Sequence, residues 1–137
     1  DFFTYIMMFN RLSSTSFREF LKHKDFEWGF YIIQKAAGWL GNYKMMFFLC
    51  AVITIIFIYL AIVQHRGKIS IGLSFVLYLF IYFPGSFNIV RQHIALAIVV
   101  YSFRYIFKKN FKKFLLFSIL ASSFHLSALI IIPFYFS

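Results

Sequence analysis

Nineteen consecutive residues without a charged side chain, Met45 to Val63, limit what this chain can fold into. About 20 predominantly apolar residues are needed for a helix to cross the hydrocarbon core of a bilayer, and within that core every backbone amide and carbonyl must be satisfied inside the segment. The run therefore predicts a transmembrane helix. Composition extends the inference: the whole chain is 62% hydrophobic and only 13% charged, against about 45–50% and about 25% in soluble domains. The predicted fold class is all-α, a multispanning transmembrane helix bundle with about four spans plus an N-terminal outer-face amphipathic or re-entrant segment.

The spans are expected at residues 45–63, 69–83, 87–107 and 114–136, after an outer-face segment at 1–44, all in one polytopic membrane domain. In the outer-face segment, Ser16 is placed to cap a short helix from Phe17 to His23 by accepting an orphan amide. Asp25 and Glu27 then precede an apolar stretch bounded by Trp28 and Trp39, with Gly41 and Asn42 as its stop. That stretch is too short to span, and its indoles suit the headgroup level. Pro84 and Gly85 close the second span. The chain opens on Asp1, and its last apolar run reaches Ser137, so the expectation is a fragment of something longer.

The formal net charge of +10 would suggest nucleic acid in a soluble chain. Here the basic residues flank apolar runs, where headgroups and topology account for them. The turns at 64–68 and 104–113 are short and hold seven Lys and Arg, which predicts that they face the cytoplasm. Residues 1–44, the turn at 84–88 and the far end of the fourth span then share the outer face. A single cysteine, Cys50, excludes an intrachain disulfide and a Cys-rich metal site. Gly-rich phosphate loops and nucleophile elbows are missing, and the histidines His23, His65, His93 and His125 are too scattered for a metal site. No cofactor is expected.

Function is expected where apolar segments carry polar groups that lipid tolerates poorly: Arg91 with Gln92, and His125 with Ser122 and Ser127. A titratable group at the centre of a membrane helix costs about 2.5–3.5 kcal/mol on insertion scales, so such groups turn toward protein or a watery cavity. Arg91, Ala95 and Ser102 share one face of the third span, and Ser118, Ala121, Ser122, His125 and Ala128 form a similar stripe on the fourth. All four carboxylates, Asp1, Glu19, Asp25 and Glu27, lie in the first 27 residues, so a carboxylate base must come from there. An arginine in a dry cleft can grip a phosphate with its planar fork, and a histidine can move a proton near neutral pH. The simpler alternatives are that Asp25 and Glu27 cap a helix, that Arg91 snorkels to headgroups and that His125 is a hydrogen-bonded packing residue.

Four segments, in order, resemble the EpsG family of bacterial membrane proteins, Wzy-like polymerases of exopolysaccharide and capsule repeat units. They are an opening Asp with a nearby Tyr (Asp1, Tyr5), the element DFEWGFYII, an Arg-Gln-x-Ile-Ala helix start (Arg91, Gln92, Ile94, Ala95) and a Phe-His-x-Ser-Ala motif (Phe124, His125, Ser127, Ala128). The resemblance implies a multi-pass enzyme of the bacterial cytoplasmic membrane, with further helices beyond both ends of this chain. Such an enzyme joins oligosaccharide repeat units carried on undecaprenyl pyrophosphate at the outer face. By position, Arg91 and Gln92 would contact the pyrophosphate or the sugar, and Ser127 and Asp1 would join them in binding substrate. His125 would assist proton transfer or orient the substrate, and Asp25 or Glu27 would activate the acceptor hydroxyl. The implied partners are the lipid-linked oligosaccharide, membrane lipid and other polysaccharide-assembly proteins, with no nucleic acid. Two rival readings are a transporter or flippase component for lipid-linked sugars and a membrane-bound O-acyltransferase. The second would need a more polar route to a cytoplasmic donor.

Overall fold

A computed structural model describes residues 2–20, 22 and 27–136 of the chain, and these are helical without a strand. In order they form α1 (Phe2–Leu12), α2 (Phe17–Phe20), α3 (Trp28–Trp39), α4 (Tyr43–Val63), α5 (Ile71–Leu77), α6 (Val90–Phe107) and α7 (Phe111–Ser122). A 3-10 segment, Leu126–Phe136, follows α7.

The local signals act where the sequence carries them. Ser16 and Glu19 form a reciprocal capping box at α2: the Ser16 amide donates to the Glu19 carboxylate at 3.1 Å and the Glu19 amide to the Ser16 hydroxyl at 3.4 Å. Gly41, at φ +68°, supplies the left-handed residue after α3. Asn42 then starts α4 by accepting the Lys44 amide at 2.8 Å. Both jobs fall on adjacent residues, so the turn is short.

Among the described residues, α4 is the one helix long and apolar enough to cross a membrane, with 21 residues and a mean hydropathy of 2.9. At 1.5 Å per residue it is about 30 Å long, the thickness of the hydrocarbon core. Only 22% of its apolar window is buried in the protein, leaving most of that window open at the surface. The next segment was expected to stop at Pro84. Instead α5 runs on through a π turn (Tyr78–Tyr82) and a 3-10 turn, and the whole helical run reaches Phe87. Proline is tolerated there because it sits in the first turn of a new helical segment, where its missing N–H has no helical partner to lose.

The expected fourth span at 114–136 is not one helix. α7 ends at Ser122, the chain turns over residues 123–125, and the 3-10 segment comes back along α7. The ring of Tyr135 lies 5.0 Å from Phe111 and 5.3 Å from Phe114, at the start of α7. The far end of this segment therefore returns to the basic-turn end of the bundle and does not share the outer face. The cause is a competition for carbonyls. The Ser123 carbonyl, which a continuing helix would give to the amide four residues on, accepts the Gly29 N–H at 2.9 Å. The Ser122 and Ser123 hydroxyls also bond back to Ile119 and Leu120 carbonyls at 2.8 and 2.6 Å.

The core joins α1, α3, α4, α6 and the hairpin through Phe30, Met46, Cys50, Ile94, Ile98 and Ala121, each at most 2% exposed. On α6 the buried Ala95 and Ser102 permit close approach, as their spacing predicted, and the buried Ala97 adds to it. Thr54, Ser102 and Ser118 satisfy their buried hydroxyls on carbonyls of their own helices at 2.7–2.9 Å, so they pack and take no outside partner. Near the basic end, Phe117 stacks on Tyr105 at 5.4 Å and meets Tyr101 edge-on at 5.1 Å, tying α7 to α6.

Candidate functional site

Glu27 stands at the position that precedes α3, yet its side chain makes no capping hydrogen bond. Its two carboxylate oxygens reach other parts of the chain. One forms an ion pair with Arg91 Nη1 at the start of α6. The other accepts from His125 Nδ1, in the turn of the hairpin, at 3.0 Å. Residues 27, 91 and 125 thus meet at one carboxylate.

The local sequence makes this meeting possible. Gly29, in the first turn of α3, donates to the Ser123 carbonyl, and a Cβ there would lie 3.1 Å from that oxygen and from the Phe124 ring, and closer still to the Ser123 hydroxyl. Only a residue without a side chain lets α3 abut the hairpin turn this closely. Glu27 is two residues before that contact and His125 two residues after Ser123, which brings carboxylate and imidazole within hydrogen-bond reach.

The three side chains are shielded without being sealed: 15% exposed for Glu27, 29% for Arg91 and 26% for His125. The Arg91 guanidinium also lies 5.8 Å from the centre of the Phe30 ring, which backs it with a cation–π contact. A carboxylate only accepts hydrogen bonds, so His125 must present Nδ1–H to it, and Nε2 is left as the nitrogen that can take up a proton. Arg91 spends one N–H direction on Glu27 and keeps the rest of its fork.

Two cavities flank this chain of contacts. The smaller, about 150 Å³, is lined by Glu27 and Arg91 together with Arg11, Phe30 and Tyr31. The larger, about 460 Å³, is lined by Gln92, His93, His125 and Ser127 on apolar walls. The structure thus brings Glu27, Arg91 and His125 into direct contact and sets Gln92 and Ser127 along the same cavity as His125. Asp1 and Asp25, also expected in the site, lie outside the described residues. Of the two simpler readings for Glu27 and Arg91, neither describes the side chains: Glu27 does not cap α3, and Arg91 is turned onto protein. Among the described residues no cluster of His, Cys, Asp and Glu suits a metal ion.

Two further residues line the cavities: Arg11, which the sequence did not single out, and His93, which was expected to be interfacial. Arg11, at the end of α1, puts a second guanidinium on the smaller cavity. Its one signal was a basic residue closing an apolar helix. His93 lines the larger cavity, and its Nδ1 is buried without a hydrogen-bond partner. Adjacency to Gln92 was the available clue.

Residues 27, 91 and 125 come from three of the four segments that carried the resemblance, and the EpsG family matches the chain over residues 1–137. The chain belongs to the EpsG family. Membership fits the apolar α4 and makes this a membrane-family protein connected with polysaccharide biosynthesis. No curated protein and no solved structure matches the chain significantly. In this EpsG-family chain, the acidic, Arg-Gln and Phe-His segments converge on one cluster between two cavities.

Proposed function

We propose that this chain supplies part of the active site of a Wzy-like polysaccharide polymerase. The enzyme would be a glycosyltransferase that joins undecaprenyl-pyrophosphate-linked oligosaccharide repeat units at the outer face of the bacterial cytoplasmic membrane, in exopolysaccharide or capsule synthesis. One observation carries the proposal: a single carboxylate, Glu27, engages both a potential anion-binding guanidinium and a potential proton-transfer imidazole.

The chemistry assigned to these residues is as follows. The acceptor sugar lies in the larger cavity, where Gln92 and Ser127 offer polar contacts and its hydroxyl faces His125 Nε2. The hydroxyl oxygen attacks the anomeric carbon of the donor unit as the bond from that carbon to the pyrophosphate oxygen breaks. The proton passes to Nε2 of His125, and the imidazolium so formed is stabilised through Nδ1 by Glu27. The departing pyrophosphate takes the electron pair, and the fork of Arg91, with Arg11 on the same cavity, answers its charge. Glu27 is in this scheme a positioning residue, and His125 is the base. Asp25 is the competing base from the same acidic segment.

The test is polymer length in cells that lack the gene and receive the full-length protein carrying His125→Ala or Arg91→Lys, with membrane levels checked by blot. Lysine keeps the charge but loses the bidentate fork. Collapse to single repeat units at normal protein levels supports the proposal. Long polymer from both variants contradicts it, and movement of lipid-linked units by purified protein without chain growth would assign transport instead.

A further inference from the structure

We infer that the basic end of the bundle holds a binding site for one anionic phospholipid, in the groove between the ends of α4 and α6. The inference is independent of the polymerase reading. The groove has a volume of about 660 Å³, within the range of small-molecule sites. Its walls are apolar, with Ile62 from α4 and Val100 and Phe107 from α6. Its rim is cationic, with Lys68 after α4 and Arg104 and Lys108 at the end of α6, and His65 lines it beside Lys68. An apolar slot beneath a basic rim has the chemistry of acyl chain below and phosphate above.

Charge balance points the same way. The turns at 64–68 and 104–113 hold seven Lys and Arg, and no carboxylate follows Glu27 anywhere in the chain, so the described fold offers these cations no acidic side chain of its own at this end. Arg104 is also held in place for the role. Its guanidinium sits 5.4 and 5.5 Å from the ring centres of Tyr101 and Tyr105, its Nη1 donates to the Tyr101 hydroxyl at 3.2 Å, and its Nε is buried with no partner. A phosphate at the rim would meet the guanidinium N–H groups of Arg104 that Tyr101 does not take.

The experiment is native mass spectrometry of the purified full-length protein titrated with phosphatidylglycerol or phosphatidylcholine of identical acyl chains. The account predicts one phosphatidylglycerol retained in preference to phosphatidylcholine. Lys68→Gln with Lys108→Gln should weaken that retention roughly tenfold or more, at about 1 kcal/mol per Lys near an anionic headgroup. The control pair, Arg66→Gln with Lys112→Gln, removes two charges outside the groove and should change retention less than threefold. Unchanged phosphatidylcholine binding verifies that each variant is folded. Equal retention of the two lipids, an effect of the control pair as large as that of the rim pair, or full displacement by millimolar inorganic phosphate would each overturn the inference.

Discussion

The two ends of α6 handle positive charge in opposite ways. At its start, Arg91 is answered inside the protein: Glu27 pairs with it, and the same carboxylate holds His125. At its other end, roughly 20 Å away at 1.5 Å per residue, Arg104 lies on tyrosine rings and is grouped with Lys108, His65 and Lys68, with no acidic residue in that part of the sequence. An internal counterion fixes the geometry of a few groups, and it costs desolvation that only good pairing offsets. Cations left open are matched instead by whatever anion the surroundings supply. The first arrangement suits a site that must position atoms, and the second suits attachment and orientation in a bilayer.

The sharpest way to break this comparison is to remove the shared carboxylate. Glu27→Ala leaves Arg91 without its partner and His125 without its orienting acceptor. Polymer formation by the full-length protein should fall by about 10²–10³, within the range of a lost acid–base contribution. Stability should fall by about 1–3 kcal/mol, less than for a fully buried pair because all three groups retain some exposure. An activity assay with thermal unfolding in detergent reads both. Asp25→Asn sharpens the assignment: a loss as large as that of His125→Ala would transfer the base role to Asp25, whereas the account expects less than a tenfold loss.

Next in size is Gly29→Val. Its side chain would press on Ser123 and Phe124 at the hairpin turn, and overpacking of this kind costs about 1–3 kcal/mol. A lower unfolding temperature, together with lost activity, is the expected outcome. If Gly29→Val is as stable and active as the parent, α3 and the hairpin are not in the contact described. The smallest effect belongs to the buried hydroxyls. Thr54→Ala and Ser102→Ala should each change stability by about 0.5 kcal/mol or less, because those groups bond only to their own helices.

Much of this could be read from the sequence, for reasons that differ by region. The span Met45 to Val63 was legible because lipid exposure demands apolar residues in unbroken series, and α4 contains it whole. The box at Ser16 and the stop at Gly41 and Asn42 were legible because caps are local chemistry. Arg91 and His125 stood out because polar groups in apolar runs need a reason, and three separated segments of the chain did converge on one cluster. The break in the last apolar run was not legible. Residues Leu115 to Ile132 contain neither Gly nor Pro, and Pro133 comes too late to mark the turn. What ends α7 is a carbonyl taken by Gly29, which lies 94 residues earlier in the chain. The expected stripe from Ser118 to Ala128 is accordingly not the face of one helix: Ser118, Ala121 and Ala128 are buried, Ser122 and His125 are half-buried, and the turn at 123–125 separates its two parts. Whether Glu27 would cap α3 or leave it was likewise a question of tertiary partners, since its position in sequence is the same in both cases.

The most direct measurement is a double-mutant cycle on chain growth by the purified full-length protein acting on a lipid-linked repeat unit, with Glu27→Gln, His125→Ala and the two combined. If Glu27 acts mainly by orienting His125, the double variant should lose far less than the product of the two single losses, the small remainder being what Glu27 contributes through Arg91. If the two losses multiply, Glu27 and His125 act independently, and the carboxylate-centred cluster is not the working unit of the site.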